Sequence, residues 1–290
     1  MSSGMTPDTS PGVRPRTSLG ARPVGVAGEE DASLWVRGMF GKIAGQYDLL
    51  NRLLSFNLDK RWRARMVERV ARVLANPAVV NGGAAVVNGS ASDAGSPPAR
   101  RVLDLCCGTG DVLLALEART ASTQDASRAH VLGSDFCHPM LVEARRKIAN
   151  RRLRSPLFES DALALPLAND SLDLITIAFG FRNLANYRHG LKEFARVLKP
   201  GGVLAILEFS QPTNPAFAAL YGFFSARVLP WVGGMISGSR EAYSYLPDSI
   251  RKFPGAEDLA AQLRTAGFTA VEFERMTFGA VALHVARKHG

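Results

Sequence analysis

Three features of the sequence predict an α/β protein. It would hold a mostly parallel, seven-stranded sheet with helices on both faces, an antiparallel C-terminal strand and an N-terminal helical cap. From Arg100 onward, short apolar runs alternate with amphipathic stretches, as parallel strands alternate with crossover helices. The run over residues 172–179 is almost continuously apolar, which implies a strand buried on both faces. The last two apolar stretches, 271–275 and 280–286, are joined only by residues 276–279. A parallel crossover needs about a dozen residues, so this pair must be an antiparallel hairpin.

In chain order, helical periodicity starts near Leu34. Apolar residues then recur at three- and four-residue steps through Leu50, Leu53, Trp62, Met66, Val70 and Val73, predicting two or three helices over 34–75. Residues 1–33, with Pro, Ser, Gly and Arg but no apolar core, read as a disordered tail and not as a secretory signal. Residues 76–99 are Asn-, Gly-, Ala- and Ser-rich and read as a flexible insert before a core spanning 100–290. Strand 102–105 leads into helix 111–118, and strand 131–134 into helix 139–149, whose Pro139 opens the first turn at no hydrogen-bond cost. Strands 157–159 and 172–179 follow. Helix 187–198 stops at Pro200-Gly201-Gly202, before strand 203–209. Asn214-Pro215 can cap a further helix, and 257–265 is helical.

Composition narrows the partners. The 290 residues are 47% hydrophobic and 21% charged, which is globular and argues against a fibrous or disordered chain. The net charge of +9 leaves open nucleic acid, an anionic membrane surface or an anionic small molecule. Three cysteines (Cys106, Cys107 and Cys137) fit neither a disulfide framework nor zinc spacing, so a reducing, cytoplasmic setting without a metal is expected. No apolar run approaches the ~18 residues of a membrane span.

The chemistry gathers at strand ends. The first strand runs into Asp104-Leu105-Cys106-Cys107-Gly108-Thr109-Gly110-Asp111. Glycines there let backbone approach a ligand, beside the unpaired N–H groups of a helix start. A third glycine of the dinucleotide fingerprint would fall at position 113, which is Leu113, so the pyrophosphate cradle is incomplete. Asp135, 25 residues after Gly110, can accept ribose hydroxyls, and Asp161, before Ala162, is placed for an adenine amine. These carboxylates suggest an adenosine without a pyrophosphate, and S-adenosylmethionine fits.

Three further stretches resemble the UbiE-type ubiquinone/menaquinone-biosynthesis C-methyltransferase family. They are Phe40-Gly41-Lys42-Ile43-Ala44-Gly45-Gln46-Tyr47-Asp48-Leu49-Leu50-Asn51-Arg52, then Phe179-Gly180-Phe181-Arg182-Asn183-Leu184, then the less specific Arg196-Val197-Leu198-Lys199-Pro200-Gly201-Gly202. The resemblance implies a class I S-adenosylmethionine methyltransferase fold, Rossmann-like, and C-methylation of a polyprenylated quinol. Demethylmenaquinol is the foremost acceptor, with the ubiquinone-pathway benzoquinol as the alternative. By position, Thr109, Asp135, Asp161 and Ala162 match the family's cofactor contacts. Gly108, Gly110, Asp104, Tyr47 and Asn51 complete the candidate cofactor set. The family often carries a serine where this chain has Ala178, so a hydroxyl contact is lost there.

For catalysis, Arg182 and Asn183 are candidates to stabilise developing phenolate charge, with Tyr47 closing over the cofactor. No general base stands out: His189 lies beyond the motif, and a water oriented by Arg182 or Asp48 is one option. The apolar face of Phe217, Leu220, Tyr221, Phe224 and Val228 reads as core packing or as a trough or lid for a prenyl chain. Two basic clusters, Lys60-Arg61 with Arg63 and Arg65, and Arg145-Arg146-Lys147 with Arg151, Arg152 and Arg154, would favour peripheral contact with an anionic membrane. Nucleic acid is not expected as a partner. No cysteine follows Cys137, and the amino-methylating Asn/Asp-Pro-Pro-Tyr/Phe motif is missing after the fourth strand. Other small-molecule methyl transfer, a non-catalytic subunit of a quinone-synthesis complex, and a homodimer remain open from sequence.

Overall fold

A computed structural model describes residues 19–75, 99–121, 129–223, 227 and 240–290. Its strands are β1 (Arg100–Leu105), β2 (Ala129–Asp135), β3 (Leu157–Glu159), β4 (Leu172–Ala178), β5 (Leu198–Phe209), β6 (Phe268–Met276) and β7 (Val281–Lys288). They form one seven-stranded sheet in the order β3-β2-β1-β4-β5-β7-β6. The first five run parallel, and β7 is antiparallel to both β5 and β6, as the short connection requires. After β3 the chain crosses back to the far side of β1. A crevice therefore opens above the carboxyl ends of β1 and β4, where open α/β sheets bind ligands.

Side-chain alternation builds a core on each face of the sheet. Leu103, Leu105, Ile175 and Ile177 point into one apolar layer with Phe181 and Phe194. Val102, Leu174, Val203 and Ala205 point into the other. Each fully buried Leu or Ile contributes about 1.5–3 kcal/mol. The covering helices include α4 (Asp111–Ala121), α5 (His138–Asn150), α6 (Tyr187–Val197) and α9 (Ala256–Thr265).

The N-terminal helices divide differently from expectation. They are α1 (Glu29–Ile43), α2 (Tyr47–Leu54) and α3 (Leu58–Ala75). Trp62, Met66, Val67, Val70 and Leu74 of α3 belong to the second core layer, so α3 is a covering helix of the sheet. Only α1 and α2 cap the crevice. There Val36, Met39, Ile43 and Leu50 pack with Tyr245 of α8 (Arg240–Lys252), a helix that the sequence reading did not contain.

Three boundaries also move. Residues 19–33, expected to belong to a disordered tail, are instead held in place: the Ala21 N–H donates to the Leu184 carbonyl, the Tyr187 N–H donates to the Leu19 carbonyl, and α1 already begins at Glu29. Three acids in its first turn, Glu29, Glu30 and Asp31, suit the helix dipole and mark that start. β5 begins at Leu198 and not after Gly202. The register jumps from Leu172 opposite Leu198 to Leu174 opposite Val203, so residues 199–202 bulge out, with Gly201 at φ 75°. Residues 1–18 and 76–98 lie outside the described part of the chain, as do Phe224 and residues 228–235 of the expected prenyl trough.

Candidate active site

Two cavities meet above β1 and β4. The first, with about 660 Å³ of open space, is lined by Gly108, Asp135, Asp161, Ala162, Asn183 and the ring of Tyr47, among others. It thus gathers five of the nine cofactor candidates. Asp135 is held at the end of β2 by two main-chain donors: Gly108 N–H to Oδ2 at 2.8 Å and Cys137 N–H to Oδ1 at 2.9 Å. Each oxygen keeps lone-pair capacity for a ribose hydroxyl. Burial pushes its carboxyl up to about 6. Asp161 accepts the Leu163 N–H at 2.8 Å, which turns the chain so that Ala162 is buried against the cleft.

A smaller recess next to this cleft contains Asp104, Gly108, Thr109 and Arg63. Oδ1 of Asp104 accepts the Thr176 hydroxyl at 2.8 Å, whereas Oδ2 is buried with no hydrogen-bond partner. Burial lifts this carboxyl to about 7. An orphaned carboxylate oxygen beside a donor-lined glycine turn suits the ammonium end of an amino-acid ligand. The donor set therefore fits S-adenosylmethionine from its adenosine to its methionine end.

Three candidates sit elsewhere than expected. Gly110, at φ 84°, lines neither space; a Cβ there would meet Ala144 Cβ at 3.2 Å, so its role is to let α4 start against α5. The Thr109 hydroxyl is already engaged, donating to Asp48 at 2.6 Å and accepting from Lys147 at 2.9 Å. Asn51 lines the second cavity, not the first, and hydrogen-bonds the buried Tyr47 phenol, opposing the rise in pKa that burial gives it.

The second cavity spans about 980 Å³ of open space and is mostly apolar, bounded by α1, α2, α3, α7 (Pro215–Phe223) and α8. Tyr221 of α7 lines it, as the expected trough requires, and the ring of Phe217 stacks on Tyr221. Its chief polar group is Arg182, in the 3₁₀ turn Phe181–Asn183 after β4. The guanidinium is 5% exposed and paired with Glu208, itself 1% exposed, at 3.0 Å. Nη1 also donates to the Phe179 carbonyl, while Nε has no partner. The ring of Phe209 lies 5.2 Å from the guanidinium. Asn183 faces the other cavity: its Nδ2 donates to the Phe179 carbonyl at 3.4 Å and its Oδ1 accepts from the Tyr245 hydroxyl at 3.1 Å. Phe40, Tyr47 and Phe179 line both cavities and form the wall between them.

Sequence reasoning missed Phe40, Phe136, Met140, Glu208 and Tyr245. Apolar and aromatic residues at such positions look like core, and Glu208 became meaningful only once β5 lay beside the Arg182 turn. Members of both basic clusters are engaged internally. Arg63 binds Asp59 and Asp111, Arg65 binds Glu274, and Lys147 binds Asp111 and Asp48. His189 is solvent-exposed. Among the described residues no group of three His, Cys, Asp or Glu side chains is placed to hold a metal, and no helix is long and apolar enough to cross a membrane.

This sheet order, with acids at the carboxyl ends of β1 and β2 and just after β3 around a glycine turn, defines a Rossmann-like, class I methyltransferase that uses S-adenosylmethionine. Two solved S-adenosylmethionine-dependent methyltransferases share the fold. One, from Thermotoga maritima, has TM-score 0.55 at 17% identity, covering 87% of this chain and 99% of that one. The other, from Methanococcus maripaludis, has TM-score 0.53 at 16% identity, covering 86% and 94%.

The chain belongs to the ubiE/COQ5 methyltransferase family, which it matches over residues 26–288. It is 45% identical to the demethylmenaquinone methyltransferase of Thermus thermophilus over 85% of this chain and 98% of that protein. It is 38% identical to the demethylmenaquinone methyltransferase of Deinococcus radiodurans over 91% and 96%. Identity to the ubiquinone/menaquinone biosynthesis C-methyltransferase UbiE of Syntrophotalea carbinolica is 41% over 86% and 92%.

Proposed function

We propose that the protein methylates a ring carbon of a polyprenylated quinol, with demethylmenaquinol as the acceptor. The observation that carries this reading is the shared wall. A cleft that carries the Asp135 and Asp161 carboxylates, and suits S-adenosylmethionine, adjoins a larger and more apolar cavity suited to a prenylated ring. The names of the Thermus and Deinococcus relatives point to the same acceptor.

S-adenosylmethionine supplies an electrophilic methyl on a sulfonium. The protein holds that donor through Asp135 and Asp161 on its adenosine side and Asp104 on its methionine side, and excludes water with Tyr47 and Phe40 from above. On the acceptor side, a quinol hydroxyl must lose its proton so that charge reaches the adjacent ring carbon; that carbon takes the methyl as the bond to sulfur breaks, leaving a thioether, and then gives up its own proton as the ring regains aromaticity. Arg182 Nε–H, buried and unpartnered, is the donor that stabilises the resulting phenolate. Glu208 keeps the guanidinium fixed. Asn183 and Tyr47 border the donor side, so alignment of the ring with the methyl falls to the wall residues.

A lipid acceptor supports the reading of a cytoplasmic enzyme in peripheral contact with an anionic membrane. The deciding experiment incubates purified protein with methyl-labelled S-adenosylmethionine and reduced demethylmenaquinol or demethylated benzoquinol analogues. Label in methylated naphthoquinol is expected. Label in the benzoquinol alone would reassign the acceptor, and cofactor binding without turnover of either would overturn the catalytic reading.

A further inference from the structure

Three of the large apolar side chains that the described residues leave in solvent are neighbours. Leu49 and Leu53 lie one turn apart on α2, and Phe56 follows in the turn that ends it; they are 53%, 47% and 73% exposed. Leu50, Asn51 and Ser55 from the same short segment line the apolar cavity. One helix thus presents side chains to the cavity on one face and apolar side chains to solvent on another.

Along this segment the exposed charge is of one sign. Over residues 45–61 the exposed charged side chains are Arg52, Lys60 and Arg61, all cationic. The two acids in that stretch are withdrawn: Asp48 pairs with Lys147, and Asp59 is buried against Ser55 and Arg63. Exposed Leu and Phe beside cations suit a lipid interface, with apolar groups at the acyl boundary and cations at phosphate head groups. A second copy of the chain is a poor match, because a two-fold contact would set these cations against themselves.

We propose that the end of α2 and the start of α3 dock the protein on an anionic lipid bilayer. The patch consists of Leu49, Leu53 and Phe56 with Arg52, Lys60 and Arg61, and it lies beside the acceptor cavity. The proposal gives the lipid acceptor a point of entry and in that sense rests on the proposed function, but docking itself is measured without an acceptor.

The test compares the full chain with a Leu49→Asp/Phe56→Asp variant and a Lys60→Glu/Arg61→Glu variant. Each is sedimented with phosphatidylcholine vesicles and with vesicles that also contain phosphatidylglycerol. Turnover is then followed with a short-chain, water-soluble quinol and with a long-chain quinol embedded in the vesicles. The unaltered protein should sediment with the anionic vesicles. Reversing the two cations should weaken that partition by at least roughly 25-fold, from about fivefold per cation. Both variants should turn over the soluble quinol normally, which also shows that they are folded, and lose most turnover of the embedded one.

Equal sedimentation of all three proteins, no sedimentation of the unaltered one, or a patch variant that changes only the oligomeric state would overturn the proposal. If the unaltered protein turns over neither quinol, the acceptor reading fails while sedimentation still judges docking.

Discussion

Asp104 leaves one carboxylate oxygen buried and unpaired, and burial raises its pKa to about 7. A cationic ligand group stabilises the ionised form, so affinity should rise with pH and level off above that value. Between pH 7 and pH 6, loss of the carboxylate should cost S-adenosylmethionine affinity by up to about fivefold. Calorimetric titration across this range checks it: Asp104→Asn should bind more weakly and lose that slope, and an unchanged slope would remove Asp104 from the methionine end. Arg182 carries the complementary prediction. Arg182→Ala should lower kcat by about 10²–10³-fold, the scale for one oxyanion donor, with cofactor affinity within about twofold. A collapse of cofactor affinity instead would move Arg182 into the binding site. Asp104 and Asp135 stand out in the sequence because carboxylates at the carboxyl ends of buried strands have few structural reasons to be there, and Arg182 because it follows the buried strand β4. Glu208 does not. Its carboxylate meets Arg182 only across the β4–β5 pairing, a contact 26 residues apart in sequence.

Helices α2, α3 and α5 are joined over the glycine turn by a chain of charges. Lys147 of α5 reaches Asp48 of α2 and Asp111 at the start of α4, and Arg63 of α3 reaches the same Asp111 at 3.1 Å and Asp59 at 2.8 Å. Lys147→Ala would leave Asp48 partly buried without its cation and Asp111 with Arg63 alone, at a cost of about 1–3 kcal/mol. A lower melting temperature together with faster release of S-adenosylhomocysteine in stopped flow is expected, and neither change would show that the cap is held by packing alone. At this scale the sequence was informative where one force dominates. Strands buried on both faces write continuous apolar runs, so β4 was placed within one residue at its C-terminal end. α8 was invisible because Pro247 interrupts its pattern and its buried face, Tyr245 and Ile250, finds partners only in distant elements. The β5 bulge misled because Pro200-Gly201-Gly202 is also what a terminated helix looks like.

For the molecule as a whole, buried titrating groups pull stability in opposite directions with pH. His284 on β7 is buried and neutral, with Nε2 on the Ala256 carbonyl at 2.8 Å, and burial pushes its pKa down to about 4. A depressed histidine loses stability as pH falls from 6.5 toward 4, because the unfolded chain takes up the proton first. Asp104 and Asp135, raised to about 7 and about 6, act the other way: folding gains as they protonate. Chemical denaturation from pH 7 to pH 4 should therefore show His284→Phe gaining stability relative to the unaltered chain as pH falls, whereas a difference independent of pH would remove His284 from the acid response. S-adenosylhomocysteine at a hundred times its Kd should raise the melting temperature by about 5–10 °C, as expected for roughly 2.7 kcal/mol in a domain of this size.

Phe40, Tyr47 and Phe179 each present a surface to both cavities. Any shift of these rings that improves the fit on one side changes the fit on the other. By thermodynamic linkage, if an occupied donor cleft multiplies acceptor affinity by some factor, an occupied acceptor cavity multiplies donor affinity by the same factor. Equilibrium titrations of each ligand in the absence and presence of the other will return one shared number, and its sign will tell whether the partition favours assembly of the reacting pair or orderly departure of the products.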